Sequence, residues 1–132
     1  MSENFELPTG TETILVVDDH ETIWDFVIET LQKLGYTVIL AENGLDAVEI
    51  YKSNQGQIDL VLLDMVMPKL GGHDAFMMIQ EFDPNVKCLL SSGYVSEEEV
   101  HDLLEKGARG FLPKPHSIKA LATEIRSILD AD

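Results

Sequence analysis

Two apolar runs of the sequence end in carboxylates, and these carboxylates together could form a cation-binding site. Residues 14–17 are followed by Asp18 and Asp19, and residues 60–63 are followed by Asp64. Three carboxylates that lie close together repel one another, so at neutral pH they need either raised pKa values or a bound cation. Because Mg²⁺ prefers oxygen ligands and keeps several waters, it suits a site with few carboxylates.

Polar side chains also follow two later apolar runs. Ser91 and Ser92 end one of these runs, and Lys114 follows the other. A hydroxyl and an ammonium group can hydrogen-bond and neutralise a phosphoryl group. Asp64 is the candidate nucleophile, because a carboxylate can attack phosphorus directly and form an acyl phosphate.

The segments that must position these residues alternate between two hydrophobic periods. Short apolar runs predict buried strands, and apolar residues at helical spacing predict amphipathic helices. The predicted strands are 13–19, 36–41, 58–64, 86–92 and 109–113, and the predicted helices are 21–35, 43–54, 73–82, 96–108 and 117–132.

Local signals refine the ends and faces of these helices. Ser96 and Ser117 are predicted N-caps, and Glu99 stands at capping-box spacing from Ser96. In the second helix, Leu45, Val48 and Tyr51 are predicted to share one buried face.

The alternation predicts an α/β fold, a (βα)5 doubly wound sheet of five parallel strands. Near-continuous apolar strands are buried on both faces, and right-handed crossovers place helices on each side. Ligands of such sheets bind beyond the carboxyl ends of the strands. The polar residues named above all follow strands, so we expect them to meet at one edge of the sheet.

Length and charge limit the function. The chain has 132 residues, enough for one domain, with 24 acidic and 9 basic side chains and a formal net charge of −15. Binding to nucleic-acid phosphates requires clustered Lys and Arg, so direct nucleic-acid binding is not expected. No apolar run approaches the roughly 20 residues that span a bilayer, so membrane insertion is not expected either.

Two further features concern the chain start and the thiol. Residues 1–12 are polar and contain Pro8 and Gly10, which predicts a flexible tail or linker ahead of a domain over 13–132.

Cys88 is the single cysteine and falls in a predicted strand, which indicates a buried, reduced thiol in a cytoplasmic protein.

The order and spacing of these residues resemble the receiver domain of two-component response regulators. The resemblance implies a flavodoxin-like sheet with strand order 2-1-3-4-5. It also implies a phosphorylatable regulatory domain, either free-standing or part of a hybrid histidine kinase, and not an enzyme with its own substrate. The matching segments are "ILVVDD", "AENGLDAVE", "DMVMPKLGG", "SSG" and "FLPKP".

The resemblance assigns a role to each residue of the acidic site. Asp64 would accept a phosphoryl group from a histidine kinase or a phosphotransfer protein. Asp19 and Asp64 would ligate Mg²⁺, or Mn²⁺ in its place. Asp18 would act through water, and Val66 would add its backbone carbonyl oxygen. Lys114 would pair with Asp64 before transfer and with the phosphoryl group after it.

The resemblance also implies a conformational switch. Ser92 would bond the phosphoryl oxygen, and Phe111, at the aromatic switch position of the family, would follow it inward. The surface of the fourth helix, fifth strand and fifth helix would then bind a downstream protein or a second copy of the chain.

Two positions lead to a hypothesis about the lifetime of the phosphorylated form. Val66 and Tyr94 lie two residues after Asp64 and Ser92. In the family these positions border the path of the water that hydrolyses the acyl phosphate. An apolar and a bulky side chain offer little to orient that water, so we hypothesise a long-lived phosphorylated state.

Two other protein classes use similar groups. A haloacid-dehalogenase-type phosphatase also has a strand-end Asp nucleophile and Mg²⁺, but it needs a second Asp two residues later, where this chain has Val66. A nucleotide- or flavin-binding domain needs a glycine-rich loop after the first strand, which the sequence lacks. The phosphatase is kept as the alternative function.

Overall fold

The apolar runs form strands and the amphipathic segments form helices, as predicted. The computed structural model describes residues 7–19, 21–65, 70–93, 96–113 and 117–131. No helix in these described ranges is long and apolar enough to cross a membrane. The strands are β1 (Thr13–Val17), β2 (Thr37–Ala41), β3 (Leu60–Asp64), β4 (Cys88–Ser92) and β5 (Gly110–Pro113), and the helices are α1 (Glu21–Lys33), α2 (Gly44–Ser53), α3 (Gly72–Phe82), α4 (Glu97–Glu105) and α5 (Ile118–Asp130).

The strands form one parallel sheet in the order β2-β1-β3-β4-β5, which confirms the predicted fold and strand order. The central strands β3 and β4 are buried along their whole length, because helices cover both faces of the sheet. Since all strands run in one direction, their carboxyl ends lie at one edge.

Side chains alternate along each strand and fill two separate cores. The first core lies between the sheet and α2, α3 and α4, and it includes Leu63, Leu90 and Phe76. The second core lies between the sheet and α1 and α5, and it includes Leu62 and Leu89. The position of a residue along its strand therefore decides which core it faces.

Side-chain caps fix the starts of three helices. Ser96 Oγ accepts a hydrogen bond from the Glu99 amide at 3.1 Å. Ser117 Oγ accepts one from the Ala120 amide at 3.0 Å, so both predicted N-caps are confirmed. Asn43 caps α2 with its side-chain oxygen.

One predicted helix face is wrong in part. Leu45 is 47% exposed, although Val48 and Tyr51 are buried as expected. Gly44 and Ala47 complete the buried face of α2 in its place. Gly44 packs so closely against the Leu70 carbonyl oxygen that a Cβ atom would not fit there.

The residues that precede β1 contact α5. The Arg126 guanidinium of α5 donates to both carboxylate oxygens of Glu12, at 2.6 and 3.1 Å, and to the Thr9 carbonyl oxygen at 3.0 Å. Hydrogen bonding to Arg126 lowers the pKa of the Glu12 carboxyl. The predicted division into a tail over 1–12 and a domain over 13–132 is not tested by these contacts and stays a prediction.

Replacing Glu12→Gln should destabilise the fold at neutral pH by about 1 kcal/mol, because it removes a half-buried ion pair. The folded-state pKa of Glu12 is lowered, so its contribution is complete above the usual value of 4.5 and is lost as the pH falls through the folded-state value. Urea unfolding at pH 7 should therefore separate the variant from the wild type, and the difference should shrink as the pH is lowered below 4.5. Glu49→Gln, on the exposed face of α2, is the matched control. An equal loss in both variants would contradict the assignment.

Candidate functional site

The strand register aligns polar residues at the carboxyl edge of the sheet. Val17 of β1 pairs with Leu63 of β3. The next residues along these strands, Asp18 and Asp64, therefore stand at the same level. Asp64 in turn pairs with Ser91 of β4. Pairing of three neighbouring strands thus places two carboxylates and a hydroxyl side by side.

The three predicted carboxylates converge. One oxygen atom from each of Asp18, Asp19 and Asp64 lies within 4.8 Å of the other two. Asp18 and Asp64 are 4% and 3% exposed, and Asp19 is half-buried. Carboxylates this close together repel one another, and compensating positive charge relieves that repulsion. An all-oxygen donor set of this kind fits Mg²⁺, which the three carboxylates would hold.

Backbone contacts hold Met65, directly after Asp64, and the start of α3 in place. The Met65 amide donates to the Ser91 carbonyl oxygen at 2.9 Å, and the Gly72 amide donates to the Met65 carbonyl oxygen at 3.0 Å. A Cβ atom at Gly72 would lie 2.6 Å from the Asp64 carbonyl oxygen. Glycine is therefore required at the start of α3, because the helix begins against the strand end that carries the candidate nucleophile.

The two serines at the end of β4 belong to different sides of the sheet. Ser92 alternates with Leu90 toward the core beside α4, whereas Ser91 lies on the side of Leu89 and of Asp64. Both serines are buried, at 3% and 2% exposure. The family resemblance selected Ser92 rather than Ser91, and the strand register adds that Ser91 is the neighbour of Asp64.

Phe111 of β5 lies beside α4. It packs against the first core, which lies between the sheet and α2, α3 and α4. It also lines a cavity of about 580 Å³ between β5 and α4. The aromatic position that the resemblance singled out therefore lies beside the predicted output surface, and its movement stays a prediction. The other lining residues are Glu97, Glu98, Val100, His101 and Leu104.

Some predicted site residues lie outside the described residues. They are Lys114, Val66 with its carbonyl oxygen, and Tyr94. Their roles as phosphoryl-pairing cation, metal ligand and lifetime-setting positions stay predictions.

Cys88 takes no part in the acidic site. It is 1% exposed in β4, which confirms that the single thiol is buried. Burial raises the pKa of the thiol. The side chain therefore stays protonated at neutral pH and is inert as a nucleophile.

Known proteins match this chain over nearly its whole length. A family model described as the response regulator receiver domain matches residues 14–126. The chain is 38% identical to the chemotaxis protein CheY of Treponema pallidum over 117 residues, which are 88% of this chain and 81% of that protein. It is 34% identical to the sensor kinase CckA of Brucella abortus over 122 residues, which are 92% of this chain. Those residues span only 13% of the kinase.

Solved structures match the fold equally well. A CheY in the CheX–CheY–BeF3–Mg²⁺ complex from Borrelia burgdorferi superposes with a TM-score of 0.87 and 31% identity, covering 91% of this chain and 90% of that one. A response regulator receiver domain protein from Clostridium thermocellum superposes with a TM-score of 0.86 and 28% identity, covering 90% and 94%.

Replacing Asp19→Asn should weaken Mg²⁺ binding by about tenfold or more, because one charged oxygen ligand is lost. Isothermal titration calorimetry with MgCl₂ measures the affinity. Asp25→Asn removes the same charge from an exposed position of α1 and should leave the affinity unchanged. Equal weakening in both variants would show a diffuse charge effect instead of a site.

Proposed function

This chain belongs to the response regulator receiver domains of two-component signalling, and we propose that Asp64 is the residue that accepts the phosphoryl group. Receiver domains are regulatory phosphoacceptor domains, so the chemistry of this edge serves a signal. The position of Asp64 carries the proposal. It is a 3%-exposed carboxylate at the end of a central strand, with two further carboxylates within 4.8 Å.

In the proposed reaction the protein assists its own phosphorylation. A carboxylate oxygen of Asp64 bonds to phosphorus as the bond between phosphorus and the donor breaks, and an acyl phosphate results. A bound Mg²⁺ supplies positive charge beside the transferring phosphoryl group. Asp18 and Asp19 hold that charge at the strand end, and Lys114 pairs with the phosphoryl oxygens.

The proposed signal leaves the site through Ser92. Its buried hydroxyl lies on the side of the sheet that faces α4, so a bond to the phosphoryl group would displace the end of β4 toward the site. Phe111 would then move inward from the cavity beside α4. This movement would change the surface formed by α4, β5 and α5.

The proposed phosphodonor is a histidine kinase or a phosphotransfer protein acting in the cytoplasm. Sensor kinases are among the proteins that the chain resembles, although it spans only 13% of CckA. The proposed output partner, which would bind the surface of α4, β5 and α5, is a downstream protein or a second copy of this chain. Three glutamates in the first turn of α4 favour a partner with basic side chains, because two copies would bring like charges together.

The haloacid-dehalogenase-type phosphatase has no support among the similar proteins. The family match covers residues 14–126 and describes a receiver domain. The phosphatase would also need an acid/base carboxylate at position 66, where the sequence has Val66.

Incubation with acetyl phosphate and MgCl₂ should give one phosphoryl adduct that is stable in acid and labile in base, as an acyl phosphate is. Asp64→Ala should abolish the adduct, and Asp25→Ala should retain it. Intact-protein mass spectrometry measures both. An adduct that survives in Asp64→Ala would refute Asp64 as the acceptor, and steady turnover of phosphate esters would favour the phosphatase.

The Val66→Asn variant should dephosphorylate about tenfold faster than the wild type, because an amide can orient the attacking water where valine cannot. The decay of ³²P-labelled protein after removal of the donor gives the rate. Val66→Ala keeps the position apolar and should decay like the wild type. An unchanged rate in Val66→Asn would remove this position from the control of lifetime.

A further inference from the structure

Ser91 carries a buried hydroxyl that the fold itself does not use. Its side chain is 2% exposed. Within the described part of the chain, Oγ has no hydrogen-bond partner. A buried hydroxyl without a partner costs free energy, and such groups in native proteins usually have a reason. The resemblance to receiver domains assigns no role to this position, because it selects the next residue, Ser92.

The neighbours of Ser91 limit what its hydroxyl can reach. On one side its register partner is Leu112 of β5, which has no polar side-chain atom. On the other side its register partner is Asp64 of β3. Partners in adjacent strands are about 4.8 Å apart and point to the same face of the sheet, so two short polar side chains can meet. Asp64 is therefore the polar group nearest in the register.

The backbone of Ser91 is already tied to the same turn. Its carbonyl oxygen accepts the Met65 amide at 2.9 Å, directly after Asp64. This bond fixes the distance between the end of β4 and the start of the turn. The backbone of β4 is therefore held against the residue that follows Asp64.

Resting on the proposed phosphorylation of Asp64, we propose that Ser91 is a positioning residue for the loss of the phosphoryl group. Its hydroxyl donates a hydrogen bond to the carboxyl oxygen of phosphorylated Asp64 that is not bonded to phosphorus. The terminal torsion of an Asp side chain is soft, so the carboxyl group can turn toward the hydroxyl of its register partner.

The hydrogen bond acts on the leaving group. In hydrolysis a water oxygen bonds to phosphorus, the bond between phosphorus and the Asp64 oxygen breaks, and its electron pair stays on the carboxylate. The water proton passes to solvent, and inorganic phosphate is released. Negative charge spreads onto both carboxyl oxygens as the bond breaks. A donor at the second oxygen stabilises that charge, and therefore the transition state, more than it stabilises the neutral acyl group.

Ser91 and Val66 thus act on opposite sides of the same bond. Val66 and Tyr94 concern the water that attacks phosphorus, whereas Ser91 concerns the carboxylate that departs.

The test compares Ser91→Ala with Ser91→Thr, which restores a hydroxyl. Loss of the hydroxyl should slow dephosphorylation about three- to tenfold, the range expected for one hydrogen bond. Ser91→Thr should decay within about twofold of the wild type, since it keeps the donor. The decay of ³²P-labelled protein, formed with acetyl phosphate and MgCl₂, gives the rates.

A second measurement separates this role from a structural one. Because Oγ has no hydrogen-bond partner among the described residues, Ser91→Ala should not lower the melting temperature. Thr30→Val removes another buried hydroxyl, on α1, and should leave the decay rate unchanged. A lower melting temperature with an unchanged decay rate would show that the hydroxyl is structural, and an unchanged rate in Ser91→Ala overturns the proposal.

The same experiment identifies a failure of the proposed function. If the wild type forms no adduct, or if Asp64→Ala still forms one, phosphorylation of Asp64 is refuted and the role of Ser91 falls with it. If the adduct depends on Asp64 but its decay does not depend on Ser91, only the role of Ser91 is refuted.

Discussion

The edge of the sheet brings together three carboxylates that repel one another, and the packing of the strands must overcome that repulsion. Asp18, Asp19 and Asp64 keep oxygen atoms within 4.8 Å of one another at the edge of the sheet. They stay there because β1 and β3 pair in register and bury their apolar residues on both faces. Each large apolar side chain contributes about 1.5–3 kcal/mol when it is buried, so the strands together outweigh the repulsion at their ends. The acidic edge is thus a property of the sheet.

Side chains alternate along each strand, so the residues proposed to respond to phosphorylation lie on two sides of the sheet. Ser92 belongs to the side of α4, where Phe111 borders the cavity beside the proposed output surface. Ser91 belongs to the side of α1 and α5, with Asp64 as its register partner. Two adjacent residues of one strand can therefore serve different steps, the conformational response and the departure of the carboxylate.

Features that depend on local sequence were predicted well. The strands, the caps at Ser96 and Ser117, and the strand-end acids follow from hydrophobic period and from the chemistry of single residues. Features that depend on contacts between distant segments were not predicted from the sequence. Leu45 is exposed, whereas Gly44 packs against the Leu70 carbonyl oxygen, a contact that the periodicity of α2 does not contain.

The sequence by itself determined the fold, the family and the identity of the acids, because burial patterns and motif order are written along the chain. Only the tertiary structure decided which polar groups are neighbours, because register between strands depends on the packing of the whole sheet. It showed that Gly72 must lack a side chain beside the Asp64 carbonyl oxygen. It also placed Ser91 beside Asp64, a relation between residues 27 positions apart that no local pattern expresses.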